Sequence, residues 1–177
     1  LPEHLVHRTV LRQADACNVH TLLLGIVHEF AGEGQGIGQG IARVFAAAGA
    51  AVVVATRSAG NGQDTVDAIV RDGGKAILIQ CDVGRRGEVE RVVTQTIAAY
   101  GRVDIAVHNA AIYPLHTVEE LTDEVMEQTL AVNMKAAVWL TQACVPHFRR
   151  QCGGRLIFTS SVTGPRGTYA EPPPTSG

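Results

Sequence analysis

The chain has 177 residues, a formal net charge of −2 and four cysteines. This length suits one domain with a full hydrophobic core, and a charge so near zero lacks the electrostatic footprint of a protein that binds nucleic acid or an acidic membrane surface. The cysteines form no C-x-x-C pair and have no histidine at zinc-finger spacing, so neither a metal site nor a disulfide framework is indicated, and we expect reduced, partly buried thiols.

The first residues show no hydrophobic period, and we expect a loosely held N-terminal arm over residues 1–20. A strand is predicted at residues 21–30, although His28 and Glu29 near its end are residues that a strand buried on both faces rarely tolerates. The strand therefore either ends near Val27 and leads into a longer loop, or this part of the sequence is not shaped for the fold. Its apolar run is far shorter than the roughly 20 residues that span a bilayer, and we expect a cytoplasmic protein.

A glycine-rich loop, AGEGQGIG, follows at residues 31–38. Gly32, Gly36 and Gly38 lack a Cβ, which lets the backbone turn tightly and approach a ligand closely. The helix predicted to begin near Ile37 offers unpaired N–H groups and a positive dipole end to a phosphate. The loop therefore indicates a cradle for a pyrophosphate. Because glycine also marks any tight turn, the loop fits a plain strand-to-helix connection equally well until the rest of the chain is considered.

Short apolar strands and amphipathic helices alternate along the rest of the chain. Strands are predicted at residues 51–55, 76–80, 103–107 and 156–159, and helices at residues 37–48, 61–71, 89–100 and 122–144. The last helix is predicted to end before Pro146, with Leu130, Met134, Val138 and Leu140 on its packing face. This alternation predicts an α/β fold in which helices cover both faces of a parallel sheet, with ligands at the carboxyl ends of the strands.

The residues at those strand ends resemble the short-chain dehydrogenase/reductase family. The family's T-G-x-x-x-G-x-G loop corresponds to Ala31, Gly32, Gly36 and Gly38, with alanine in place of threonine. Its adenine-binding aspartate corresponds to Asp82, followed by Val83. Its N-N-A-G element corresponds to His108, Asn109, Ala110 and Ala111. The resemblance assigns the catalytic asparagine of the family to Asn133 and its catalytic serine to Ser161.

The resemblance implies a Rossmann-like, doubly wound parallel sheet in three α/β/α layers. It assigns a dinucleotide-binding domain to residues 21–169 and leaves an irregular, proline-rich tail at residues 170–177. On this resemblance, we expect the C-terminal strands of the family to be missing from the chain, together with the helix that commonly forms the subunit contact. A homo-oligomer is implied for the complete family fold but not for this chain. We expect marginal stability, with the last strand as an exposed edge.

The residues at the end of the second predicted strand indicate which cofactor is bound. An NAD-selective site needs an acidic residue there for the ribose hydroxyls, whereas this chain has Thr56, Arg57 and Ser58. Arg57 carries a permanent charge and a fork of donors that suit a 2′-phosphate, so NADP(H) is predicted ahead of NAD(H). The alternative is a solvated arginine after a strand. The predicted cofactor-binding residues are Gly32, Gly36, Ile37, Gly38, Thr56, Arg57, Ser58, Asp82, Val83, Asn109, Ala110 and Ala111.

Part of the family's catalytic set has no counterpart in the chain. The family uses a tyrosine thirteen residues after the serine and a lysine four residues further on, where the lysine lowers the pKa of the tyrosine. Pro174 stands at the tyrosine position, and Tyr169 does not replace it because Pro173 stands four residues later. Tyr169 is instead assigned to a substrate loop.

Three functions are consistent with these residues. The first is an NADP(H)-dependent oxidoreductase acting on a small-molecule carbonyl/alcohol pair, with turnover in question without the tyrosine and lysine. The second is a non-catalytic nucleotide-binding protein built on the same core. The third is a methyl-transfer domain, because Gly32, Gly34 and Gly36 also fit G-x-G-x-G, but Phe30 and Arg57 stand where that fold needs acidic residues.

Overall fold

The computed structural model describes residues 21–25, 36–114 and 116–160. The elements in chain order are β1 (Thr21–Gly25), α1 (Ile37–Ala47), β2 (Ala51–Thr56), α2 (Ala59–Arg71), β3 (Lys75–Gln80), α3 (Arg86–Tyr100), β4 (Ile105–His108), a 3-10 turn (Val118–Glu120), α4 (Asp123–Leu130), a π-helical segment (Ala131–Lys135), α5 (Ala136–Arg150) and β5 (Arg155–Phe158). The predicted N-terminal arm, most of the glycine-rich loop and the proline-rich tail lie outside the described residues.

The five described strands form one parallel sheet in the order β3-β2-β1-β4-β5. β1 is central and pairs with β2 on one side and with β4 on the other. The chain therefore winds outward from β1 in both directions. In sheets of this kind the point where the strand order reverses leaves a crevice beyond the carboxyl ends of the strands, which is where ligands bind.

Helices cover both faces of the sheet. Val52 and Val54 of β2 pack with residues of α1 and α2, whereas Val53 and Ala55 pack with residues of α3 and α5. Successive side chains of a strand point to opposite faces, so a strand covered on both sides is apolar along its whole length. This arrangement explains the sequence AVVVAT of β2 and confirms the predicted three-layer, doubly wound fold.

The first and last helical stretches end in the same left-handed turn. Gly49 has a φ of 92°, and its N–H donates to the carbonyl of Ala46 at 2.9 Å, as predicted for a glycine after a helix. Cys152 occupies the equivalent position after α5 with a φ of 60°. A residue with a Cβ is disfavoured in that conformation, so the end of α5 is the less favourable of the two.

The predicted end of the last helix was wrong. The helix predicted to end before Pro146 continues to Arg150 with the proline inside it. Phe148 packs against the core beyond the proline, and a Cβ on Gly154 would overlap its ring, so tertiary packing continues the helix despite the missing N–H. β1 is described over Thr21–Gly25, and the predicted end of this strand, at residue 30 or near Val27, lies outside the described residues. Within the described ranges no helix is long and apolar enough to cross a membrane.

The packing face of the last helical stretch was also predicted incorrectly. Met134 and Val138 are 63% and 55% exposed, whereas Leu140 is buried as predicted. The buried residues recur every fourth position, at Val132, Ala136, Leu140 and Cys144. The π-helical segment widens the turn between the first two of them, which changes the helical phase on which the prediction relied.

Candidate functional site

A cleft of about 730 Å³ opens beside the carboxyl ends of β2 and β3. Its wall consists of residues near the ends of these strands and on the side of α3 that faces them. They are Arg57, Leu78, Ile79, Gln80, Cys81, Asp82, Arg85, Glu88, Arg91 and Gln95. Two predicted site residues, Arg57 and Asp82, therefore line the same cleft although they belong to different loops.

Hydrogen bonds of the neighbouring residues hold the backbone that follows Arg57. The Oγ1 atom of Thr56 accepts the N–H of Ser58 at 3.3 Å, and the Oγ atom of Ser58 accepts the N–H of Asn61 at 3.5 Å. Ser58 is thus the N-cap of α2, which begins at Ala59, two residues before the predicted start. The guanidinium of Arg57 has no ion pair or hydrogen bond with any residue that the structure describes.

The turn after β3 is held mostly by its own polar groups. The Oδ1 atom of Asp82 accepts the N–H of Gly84 at 3.0 Å, and its Oδ2 atom lies 3.4 Å from the Nε atom of Arg85. The N–H of Asp82 donates to the Oε2 atom of Glu88 at 2.7 Å. Val83 is buried beside this turn. The carboxylate of Asp82 is therefore partly engaged by its own turn, in the cleft that the resemblance assigns to adenine.

Two further contacts connect this turn with the loop that carries Arg57. The Nη2 atom of Arg91 donates to the carbonyl of Gln80 at 2.7 Å and lies 3.7 Å from the Oε2 atom of Glu88. The Nε2 atom of Gln80 donates to the carbonyl of Arg57 at 3.1 Å. Gln80, Glu88 and Arg91 were not predicted as site residues. The available signal was the spacing of Glu88 and Arg91, an acid in the first helical turn three residues before a base.

At the end of β4, a buried histidine contacts the π-helical segment. His108 is 5% exposed, and its Nε2 atom lies 3.0 Å from the carbonyl oxygen of Val132. Burial lowers the pKa of His108, so its ring is neutral at pH 7 and the contact requires the proton on Nε2. The N–H of Ala136 donates to Ala131, five residues back, instead of to Val132. His108 thus replaces the donor that Val132 would have in an α-helix.

Asn133 connects the same segment to the loop after β4. Its Oδ1 atom accepts the N–H of Ile112 at 2.8 Å, and its Nδ2 atom donates to the carbonyl of Ile112 at 2.9 Å. The side chain of Asn133 is therefore engaged by the backbone just beyond Ala111, the last residue of the predicted H-N-A-A element. Ala110 is buried, whereas Ala111 is exposed. The catalytic role that the resemblance gives to Asn133 stays a prediction.

The remaining predicted site residues fall at the start of α1 or outside the described ranges. Gly36 is the N-cap of α1, Gly38 is buried in its first turn, and the side chain of Ile37 is exposed. Gly32 and Ser161 lie outside the described residues, so their predicted roles stay predictions. The described part of the site is thus the region of the cleft, the start of α1 and the loop after β4.

Two thiols, those of Cys81 and Cys144, are buried in the described core. Burial raises the pKa of Cys81 and of Cys144 to about 12, so both are protonated at neutral pH. Cys81 and His108 border a small cavity of about 20 Å³, which is room for about one water molecule. In the described part of the chain, no three His, Cys, Asp or Glu side chains come together in a way that could hold a metal ion.

Comparisons with known proteins agree with this fold. A family model described as short chain dehydrogenase matches residues 30–173. An uncharacterized oxidoreductase of Thermotoga maritima is 38% identical over 133 residues, covering 75% of this chain and 52% of that protein. A metagenomic short-chain oxidoreductase in complex with NADP has a TM-score of 0.73 and 28% identity, covering 82% of this chain and 62% of that one.

A short chain dehydrogenase from Burkholderia cenocepacia, also in complex with NADP, has a TM-score of 0.74 and 32% identity. That similarity covers 85% of this chain and 59% of the Burkholderia chain. The sequence spans about half the length of the curated relatives that it matches.

Proposed function

The chain belongs to the short-chain dehydrogenase/reductase family, and from that premise we propose that it binds NADP(H) as the cofactor of an oxidoreductase acting on a carbonyl/alcohol pair. This family consists of oxidoreductases, and two similar structures contain NADP. The preference for the phosphorylated cofactor, the substrate class and the site residues are proposals for this chain.

The proposal rests on the guanidinium of Arg57, which has no partner among the described residues. Three arginines line the cleft, and two of them are engaged, Arg85 with Asp82 and Arg91 with Glu88 and the carbonyl of Gln80. Among the described residues none pairs with the guanidinium of Arg57. A guanidinium that no described residue pairs with supplies a fixed charge and a fork of donors, which suit a phosphate monoester.

The residues present therefore fit the adenosine half of NADP(H). In this proposal Arg57 and Ser58 hold the 2′-phosphate, while Asp82 and Val83 border the adenine. Gly32, Gly36, Ile37 and Gly38 accommodate the pyrophosphate at the start of α1. Asn109, Ala110 and Ala111 border the cofactor at the switch point beside β4.

The bound cofactor would supply the hydride that converts a carbonyl into an alcohol, or accept it in the reverse direction. The chain's own part is to bind and to orient. Ser161 is proposed to donate a hydrogen bond to the substrate oxygen, which stabilises negative charge there. Asn133 keeps the loop after β4 in place through Ile112.

A second candidate function is nucleotide binding without turnover. The observation that favours it is Pro174, which stands where the resemblance places the catalytic tyrosine and cannot donate a proton. The two functions differ in one measurement, the consumption of NADPH in the presence of a panel of ketones. Binding without consumption would favour the second.

The test of cofactor binding is a fluorescence titration with NADPH and with NADH. Replacing Arg57 with alanine should weaken NADPH binding by about 10- to 100-fold, because charge-assisted hydrogen bonds to the phosphate are lost, and should leave NADH binding within about twofold. Arg71→Ala is the matched control, since it removes an equal charge from the far end of α2. Equal losses for both cofactors in the Arg57 variant would contradict the assignment.

A further inference from the structure

We infer that Glu88 and Arg91 of α3 are positioning residues that hold the two loops of the adenosine half-site in register. This inference rests on the proposed function, since it concerns the cleft assigned to NADP(H). It adds two residues that contact no reacting atom and that the family resemblance did not supply.

The need for such residues follows from the place of β3 in the sheet. β3 is an edge strand, paired with β2 on one side only among the described strands. Its last residue, Gln80, is exposed, and the turn that follows contains Gly84. An edge strand has one set of backbone groups without ladder partners, so its end is held less firmly than that of a central strand. Side-chain contacts can supply the missing constraint.

Glu88 supplies one of these contacts. Its carboxylate accepts the N–H of Asp82 at 2.7 Å, across the turn that leads from β3 into α3. It reaches back from the first turn of α3, where the positive end of the helix dipole favours an acidic side chain. The bond fixes the backbone at the residue that borders the proposed adenine site, while the Asp82 carboxylate makes separate contacts with Gly84 and Arg85.

Arg91 supplies the second contact. One nitrogen of its guanidinium both donates to the carbonyl of Gln80 at 2.7 Å and lies 3.7 Å from Glu88. The side chain of Gln80 donates in turn to the carbonyl of Arg57 at 3.1 Å. A continuous series of contacts therefore runs from α3, through the end of β3, to the backbone of the residue proposed to hold the 2′-phosphate.

These contacts give Arg57 and Arg91 different predicted roles although both line one cleft. A residue that binds the 2′-phosphate affects only ligands that carry that phosphate. A residue that sets the spacing of the two loops affects every adenosine ligand, whether or not it is phosphorylated at the 2′ position. The two kinds of residue can be separated by comparing 2′,5′-ADP with 5′-ADP.

Calorimetric titration of the full chain with these two nucleotides is the test. Glu88→Ala should weaken both by about tenfold and by the same factor, because one charge-assisted hydrogen bond within the site is lost. Glu88→Gln keeps an acceptor for the Asp82 N–H and should stay within about threefold of the unmodified chain. Arg91→Ala should behave like Glu88→Ala. Arg57→Ala should weaken 2′,5′-ADP alone.

The matched control is Glu90→Ala, which removes an acid from the same helix but breaks only a surface pair with Arg86. It should leave both affinities unchanged. A second readout needs no ligand. The amide of Asp82, which donates to Glu88, should be protected from hydrogen exchange in the unmodified chain and in Glu88→Gln, and should lose that protection in Glu88→Ala.

The possible failures are distinguishable. If the unmodified chain binds neither nucleotide, the proposed function is overturned together with this inference. If it binds both and Glu88→Ala leaves both affinities unchanged, only the inference is overturned. A loss confined to 2′,5′-ADP in Glu88→Ala or Arg91→Ala would also overturn it, because the residue would then act on the phosphate.

Discussion

His108 contributes to the stability of the core, a role that its position in the H-N-A-A element does not indicate. The ring is buried, neutral and bonded through Nε2 to the carbonyl of Val132. A glutamine at this position could also donate an N–H group, but it cannot take up a proton. The histidine therefore makes the stability of the core depend on pH.

The expected dependence follows from the lowered pKa of His108. The unfolded chain takes up the proton near pH 6.5 and the folded chain only at lower pH, so the stabilising contribution is complete above pH 6.5 and is lost as the pH falls toward the folded-state pKa. We expect urea unfolding between pH 8 and pH 5 to show a decline in the free energy of unfolding of up to about 1.4 kcal/mol for each pH unit that separates the two pKa values. His108→Gln should reduce this decline.

His147 provides the control for that measurement. Its pKa is also lowered, by burial and by the neighbouring charge of Arg150, but its ring is bonded to Arg150 on the surface of α5. His147→Gln should therefore leave most of the decline in place. An unchanged slope in His108→Gln would show that the buried ring does not control the pH dependence.

Asn133 is the second residue whose contacts define a measurable effect. Asn133→Ala removes both hydrogen bonds to Ile112 and leaves an N–H and a carbonyl of a partly buried loop without those partners. We expect the free energy of unfolding in urea to fall by about 2 kcal/mol. The adjacent Met134 is exposed, and Met134→Ala should change it by less than about 0.5 kcal/mol. Equal effects of the two variants would contradict the assigned role of the amide.

At the scale of elements, the end of α5 is the clearest departure from favourable local chemistry. Cys152 has the left-handed conformation that Gly49 and Gly73 have after α1 and α2. We expect Cys152→Gly to raise the free energy of unfolding by about 0.5–1 kcal/mol, because glycine has no Cβ to be strained. Cys152→Ala keeps the Cβ and removes only the thiol, so its stability should match that of the unmodified chain. A gain for alanine equal to that for glycine would assign the effect to the thiol.

The elements also show which features local sequence predicts. The strand β2 and the end of α1 at Gly49 were predicted correctly, because burial on both faces and left-handed backbone each select particular residue types. The π-helical segment left no comparable signal, because the contact between His108 and Val132 that accompanies it joins distant parts of the chain. For the same reason the continuation of α5 past Pro146 depends on the packing of Phe148 and could not be predicted.

The candidate site was predictable only in part. Arg57 and Asp82 follow strands that the pattern placed in one sheet, and the cleft brings them together as expected. The contacts of Gln80, Glu88 and Arg91 depend on the separation of two loops and of a helix, which spacing along the chain does not determine.

At the scale of the whole molecule, the described sheet has an apolar edge at β5. Ile157 is 39% exposed and Phe158 is 48% exposed, and β5 pairs only with β4 among the described strands. Exposed apolar edges promote association between chains. We expect sedimentation velocity to show concentration-dependent association of the 177-residue chain that Phe158→Lys reduces.

Val70 gives the matched control for that experiment. It is 54% exposed on α2, which packs against β3 at the opposite end of the sheet from β5, so Val70→Lys adds the same charge at a similarly exposed apolar position. Its association should equal that of the unmodified chain. Equal reductions by the two lysine variants would show that added charge, and not the edge, controls association.

The central place of β1 has a consequence for the order of folding. β2, α2 and β3 are consecutive and can pair as a local unit, whereas pairing of Leu22 with Ile105 closes most of the described chain into one loop. Such long-range closure is entropically unfavourable before the contacts that reward it exist, which slows folding. During synthesis β1 can pair with β2 as soon as both have been made. Its second side is paired only after β4 has followed, when most of the described chain has been made.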